Sequence, residues 1–302
     1  MVIMNNPTKT SIVVDCSALA YAAFYAFGHL SYAGTDTGVI YGFLQRTLDL
    51  SRRFKSNDFI MCWDSEHTHR ARDYKDYKKK RHDKRAEMSE SELEARQSFL
   101  EQIVLLRDDV LPAMGFKNNY LCDLYEADDL LAYWVRRLHK QGKDVIMVTS
   151  DQDMYQVLDC CDMFSPSKKK LFTHKDLQEQ YGITADQWAM AKAIGGCDGD
   201  NVVGITGAAD PKKPTSKVLK YLTGQLTKGV IYDRIESDEG QKCIQKNLPI
   251  VTTPYKPELM PRMIRRRNRY DIKAFIRIFE YYGFRSFVNR DKLFQWKEHF
   301  CE

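Results

Sequence analysis

The sequence predicts an α/β fold: a mainly parallel central sheet flanked by helices, with a helical arch and a helical module toward the C-terminus. Short apolar runs such as Ile12-Val13-Val14 and Phe59-Ile60-Met61-Cys62-Trp63 lack the polar alternation of a half-solvated strand, so they read as strands buried on both faces. Each run ends in an acid, Asp15 or Asp64. Segments with helical spacing separate the runs, and strand-helix alternation is the pattern of a covered parallel sheet.

The first strand, 11–15, leads into an Ala- and aromatic-rich helical stretch over 17–27 and a Gly-, Ser- and Thr-rich loop over 28–37. Ile40, Phe43, Leu44 and Leu48 carry the spacing of a helix over 38–54, ahead of the second strand. A basic segment with Tyr74 and Tyr77 then precedes a long helical pattern over 89–111 that Pro112 and Gly115 close. Together these form a helical hairpin or arch, whose charged first limb has little apolar surface to bury and is expected to be mobile without a ligand. A third strand over 116–122 feeds Glu126-Ala127-Asp128-Asp129, which heads a helix marked by Leu130, Leu131, Trp134, Val135 and Leu138. Val145-Ile146-Met147-Val148 is a fourth strand, followed by Asp151 and Asp153; short strands at 160–164 and 170–172 flank a turn at Ser165-Pro166-Ser167. Beyond Thr173 the texture turns helical, with helices over 185–194, 215–222, 228–235 and 269–282. Between the first two of these lies a Gly- and Asp-rich turn over 195–207, a shape that offers backbone amides to a phosphate backbone.

At 302 residues the chain is sized for one main domain with an appended module. There is no signal-peptide core and no apolar run of membrane-spanning length, so a cytoplasmic protein, probing no membrane, is expected. The eight cysteines show no CxxC pair, which fits reduced thiols. A zinc site at Cys62, His67 and His69 lacks a complete ligand set. The net charge of +5 is unevenly spread. Arg70, Lys75, Lys78, Lys79, Lys80 and Arg81 crowd one segment, and Arg262 to Arg269 form a second basic run. Basic concentration beside clustered acids suggests a polyphosphate substrate. Asp15, Asp64, Glu126, Asp128, Asp129, Asp151, Asp153 and Asp200 all stand at strand ends, helix heads or turns. Carboxylates gathered that way repel unless a cation neutralises them, and an all-oxygen set suits Mg²⁺ or Mn²⁺.

The ordered set Val14-Asp15, Trp63-Asp64, Arg70, Tyr77-Lys78-Lys79-Lys80-Arg81, Glu126-Ala127-Asp128-Asp129 and Thr149-Ser150-Asp151-Gln152-Asp153 resembles the 5′-nuclease or flap endonuclease family. The likeness is greatest to phage-encoded members, including the phage ribonuclease H type. It implies a metal-dependent nuclease core over 1–172 with the arch near 68–112, and a helical DNA-binding module over 173–302 with a helix-hairpin-helix-type element near 185–222. It implies two divalent ions, the first held by Asp15, Asp64, Glu126 and Asp128, the second by Asp151, Asp153 and Asp200, with Asp129 close to both. Lys78 and Arg81 would act on the scissile phosphate, and Arg70, Tyr77, Lys212, Lys213 and Lys217 would bind nucleic acid. The implied substrate is DNA with a 5′ flap, nick or RNA primer. A replication polymerase or single-strand-binding protein would be the partner of a monomer, in the host cytoplasm if the chain is phage-encoded. The family hairpin often holds K⁺, against which stands Ala209, where the family has a second hairpin glycine. Cys197 stands where the family has an acid, and an extra acid, Asp198, follows it, so either Asp198 reaches the second ion, directly or through water, or that site has lost one ligand. Two other functions compete. A catalytically weakened binding protein of this fold would not need the intact run of acids, and a PIN-type ribonuclease would not need the arch or hairpin. No G-x-x-x-x-G-K-[ST] loop or G-x-S-x-G elbow is present.

Overall fold

The computed structural model describes residues 10–301; residues 1–9, part of the stretch read as free of a signal-peptide core, lie outside the described residues. Among the described residues eight strands form: β1 (Ser11–Asp15), β2 (Ser31–Tyr32), β3 (Thr35–Asp36), β4 (Phe59–Trp63), β5 (Asn119–Leu121), β6 (Val145–Val148), β7 (Asp162–Ser165) and β8 (Lys170–Phe172). Six of them make one sheet in the order β5-β4-β1-β6-β7-β8, parallel throughout except for β8, and β2 and β3 form a separate hairpin where a loop was expected.

The strand order explains where a site belongs. β1 pairs with β4 on one side and β6 on the other. The chain builds outward from β1 to β4 and β5, then crosses over to β6, so the order reverses between β1 and β6. Ligands of open α/β sheets bind outside the carboxyl ends of the strands at such a switch point. Asp15 closes β1, Asp64 follows β4, and Thr149 to Asp151 follow β6.

Alternate side chains of a strand face opposite ways, and β1 feeds both halves of the core. Ile12 and Val14 pack with Met61, Trp63, Phe43 and Leu44, while Val13 packs with Ile60, Cys62, Met147, Leu130 and Trp134. The module proposed for 173–302 divides in two. Trp188 and Tyr181 pack at a tilt against Tyr155 of the α/β core. The last helices, Ile272–Tyr281, Arg285–Val288 and Arg290–Phe300, return to the opposite face, where Phe275, Phe279, Trp296 and Phe300 join the core of β1 and β4. They therefore pack as part of the α/β core. The basic run at 262–269 also has a structural job: Arg265 pairs with Asp58, and Asn268 donates to the Phe59 carbonyl at 3.0 Å, at the strand ends opposite the acids. All eight cysteines are free thiols, and among the described residues no helix is long and apolar enough to cross a membrane.

Candidate metal centre

The acids converge in an open cleft of about 500 Å³ that includes Asp15, Thr149, Asp151 and Lys212 in its walls. Asp15 caps the helix Cys16–Phe27, accepting from the Ala18 amide at 2.9 Å, and takes a second bond from Thr149 Oγ1 at 3.0 Å. Thr149 in turn accepts from the Asp151 amide at 3.2 Å, so β1 and the β6 loop hold each other in register at the site. Asp64 accepts from the Ala127 amide at 2.8 Å, which ties the end of β4 to the helix Ala127–His139 that carries Asp128.

Electrostatics separates the acids into two groups. Burial, with the neighbouring Asp64, pushes Asp15 up to about 7. Burial and the charges of Asp151 and Asp15 push Asp128 well above the carboxylate range, and burial and Asp153 raise Asp151. Among the described residues no Lys or Arg forms an ion pair with Asp15, Asp64, Asp128 or Asp151. The second group is Asp153, Asp200 and Cys197, whose ligand atoms all lie within 4.8 Å of one another. Here positive charge is already present. Burial works against the charge of Asp153, but Lys192 at 2.9 Å and Lys212 at 3.5 Å more than offset it. Asp200 receives Arg81 at 3.1 Å and lies 4.0 Å from Lys78.

The arch delivers these cations. Its first limb, Lys79–Ala86, follows Lys78, which has a left-handed backbone (φ 56°) and donates its amide to the Asp200 carbonyl at 3.1 Å. That unusual turn sends Lys78 Nζ to Glu126 Oε1 at 2.5 Å. Lys80 pairs with Asp198, and Arg81 donates to the Gly199 carbonyl at 3.1 Å. The limb expected to be mobile is thus docked over the acids by ion pairs rather than by apolar packing. Below it the hairpin turn is drawn tight: Gly204 crosses so close that a Cβ there would sit 2.3 Å from the Gly195 carbonyl carbon.

Residues 10–182, more than half of the chain, match the family model of the 5′-3′ exonuclease, N-terminal resolvase-like domain. The chain belongs to this 5′-3′ exonuclease family. It is 30% identical over 211 residues to a 5′-3′ exonuclease of Buchnera aphidicola, covering 67% of both chains. It is 31% identical over 222 residues to DNA polymerase I of Deinococcus radiodurans, covering 72% of this chain but 22% of that one. The chain spans about a fifth to a third of the length of the DNA polymerase I relatives it matches. Its fold is that of the bacteriophage T5 D15 flap endonuclease, solved with DNA and metal ions (TM-score 0.66, 20% identity, 80% of this chain and 89% of that chain covered).

Within this 5′-3′ exonuclease fold, four expected site residues lie elsewhere than the motifs suggest. Arg70 is 3% exposed and spends its guanidinium inside the protein, donating to Glu126, to both oxygens of Asp129 (2.7 and 2.8 Å) and to the carbonyls of Ile250 and Thr252. It cannot reach nucleic acid from there. Asp129 also accepts from the amides of Glu126 and Tyr255, so both of its oxygens are occupied away from the metal group. Successive helical residues point about 100° apart, and that rotation parts Asp129 from Asp128. Tyr77 is buried with its hydroxyl on Glu126 at 2.9 Å and has no free face for a base. Asp198 points outward to Lys80, not into the second group. Glu126 lies between these sets: burial would raise it, but Lys78 and Arg70 hold it below its ordinary value. Lys192, which no motif marks, is the residue sequence reasoning missed. Lys213 and Lys217 remain exposed beside the hairpin, whereas Lys212 turns toward Asp153. Ala209 adopts the left-handed backbone (φ 67°) that a hairpin glycine would take freely.

The raised carboxylates fix a pH dependence. In the unfolded chain they ionise near pH 4, whereas Asp15 keeps its proton in the metal-free fold to about 7. The folded state therefore binds more protons across that window, and its stability falls as pH rises from about 4 to about 7. Thermal melting of metal-free protein is expected to show a lower Tm at pH 8 than at pH 5. Mg²⁺ should recover more at pH 8, and Asp15→Asn should flatten both trends. A metal-free Tm that climbs across this range would contradict the arrangement.

Proposed function

We propose that the chain is a structure-dependent 5′-3′ exonuclease and flap endonuclease. It would hydrolyse phosphodiester bonds near the 5′ ends of flapped, nicked or RNA-primed duplex DNA, in replication. The observation that carries this reading is the unneutralised group of Asp15, Asp64, Asp128 and Asp151 under a docked basic arch. Four carboxylates with no ion-paired cation, two of them, Asp15 and Asp128, pushed strongly upward by burial and by neighbouring acids, suit a hard divalent ion such as Mg²⁺ or Mn²⁺. When bound there, such an ion supplies Lewis-acid stabilisation of the phosphoryl oxygens and a water of lowered pKa. A second ion at Asp153 and Asp200 completes the two-ion reading, with Asp151 between the groups. The protein's own share is positional. Lys78 and Arg81, now held by Glu126 and Asp200, stand where a scissile phosphate would compete for them. Lys213 and Lys217 lie where the duplex backbone would rest. The likeness to part of DNA polymerase I supports a replicative setting with a polymerase as partner.

Labelled flap, nicked, RNA-primed and single-stranded substrates, each with Mg²⁺ and with EDTA, test the proposal. Cleavage of branched or nicked duplex that leaves 5′-phosphates and stops with EDTA is expected; activity that survives excess chelator sinks it. The two sets of cations should also separate. Lys78→Ala and Arg81→Ala should lower kcat more than affinity, on the order of 10²-fold. Lys213→Ala and Lys217→Ala should weaken binding and each reduce the salt slope by about 1. If all four variants show only weaker binding, the arch is a charged surface and no more.

A further inference from the structure

Cys197 places a thiol among carboxylates. Its Sγ lies 3.6 Å from Asp153 Oδ2 and 3.4 Å from Asp200 Oδ2. Its direction is fixed, because Cys197 is 3% exposed and its backbone exchanges hydrogen bonds with Val202 at 2.9 and 3.0 Å. One wall of this pocket is a buried cation: Lys192, 1% exposed, holds Nζ 2.9 Å from Asp153 Oδ1.

This donor set discriminates between cations. A hard, strongly hydrated ion such as Mg²⁺ finds only two anionic groups, and Lys192, Lys212 and Arg81 already lean on those. A softer cation gains what Mg²⁺ cannot. It displaces the thiol proton to solvent: the S–H bond breaks, a sulfur–metal bond forms on the same electron pair, and nothing is oxidised or reduced. The site thereby acquires a third negative charge and a ligand that zinc-class ions favour.

We propose that Asp153, Cys197 and Asp200 form a thiolate-dicarboxylate site that takes a zinc-class divalent cation in preference to Mg²⁺. The inference deepens the nuclease reading and rests on it for the role of the cleft, because it gives the second ion of that cleft a different identity from the first. Under it, the two metal positions of one active site differ in hardness.

Cd²⁺ is the probe, since a cadmium–thiolate bond adds an ultraviolet charge-transfer band that oxygen ligation lacks. Titration into metal-free protein is expected to give a saturable band that excess Mg²⁺ does not remove. Cys197→Ser should abolish the band while circular dichroism shows the native fold. Asp200→Asn should weaken Cd²⁺ binding by at least the amount an outer-shell partner would, about 10–100-fold. Cys197→Asp, which keeps an acidic ligand, should show no band and should need less Mg²⁺ for half-maximal cleavage. A band retained in full by Cys197→Ser, or none in wild type with Cd²⁺ in excess, overturns the site while Mg²⁺-dependent cleavage leaves the nuclease reading standing. A band that forms in a protein that cuts no substrate with any divalent ion overturns the nuclease reading instead.

Discussion

Asp128→Asn is expected to lower turnover on the order of 10³-fold or more while leaving DNA affinity nearly unchanged. Burial is the first cause that raises Asp128, and the charges of Asp151, Asp15 and Asp64 add to it. Such a carboxylate is held at a cost that only a bound cation offsets. The amide keeps the shape but removes the charge. Three measurements should move in different directions: kcat falls, divalent-ion affinity measured by calorimetry falls, and the Tm of metal-free protein rises because one repelling charge is gone. DNA binding, measured without metal, should hold or improve slightly for the same reason. Equal losses of binding and cleavage, with a lowered Tm, would show that Asp128 supports the fold and not the metal.

Arg70→Ala is expected to be the most destabilising single change in the site region, by about 3–5 kcal/mol. The guanidinium ties three parts of the chain that are remote in sequence: the base of the arch, the head of the helix Ala127–His139 through Asp129 and Glu126, and the 250–252 segment through two carbonyls. Removing it leaves Asp129, 1% exposed, with only the amides of Glu126 and Tyr255 for partners. Burial holds Asp129 above the ordinary carboxylate value even with Arg70 present. Arg70→Lys keeps a charge but cannot supply the bidentate fork, so it should recover only part of the loss. Denaturant unfolding of the two variants checks this. If Arg70→Ala unfolds at the wild-type midpoint yet binds DNA more weakly, the residue faces nucleic acid after all.

These two residues mark where sequence reasoning stops. Asp15, Asp64 and Asp151 were legible as a site because each follows an unbroken apolar run, and a parallel sheet brings the carboxyl ends of such runs together whatever the rest of the chain does. The basic segment before a long helical pattern likewise suggested an arch. What was not legible was which members of a local cluster share a space. Glu126, Asp128 and Asp129 are neighbours in sequence, yet the turn of the helix sends Asp128 to the metal group and Asp129 to Arg70. Arg70 and Tyr77 were expected to meet nucleic acid because the family resemblance implies it, and nothing in the sequence ties them to the 250–255 segment or to Glu126. The helix Asp238–Val251 escaped prediction, with Pro249 inside it breaking the expected pattern.

By itself, then, the amino-acid sequence determined the α/β class, the strand ends that bear acids and the placement of a basic arch, because those follow from local periodicity and from the geometry of parallel sheets. Only the tertiary structure decided the charge balance of the two acid groups. Lys192, Lys212 and Arg81 reach Asp153 and Asp200 from elements 39 to 119 residues away in sequence, leaving the first group bare. Electrostatic neutralisation depends on distance in space and on burial, and neither is written in the spacing of residues along a chain.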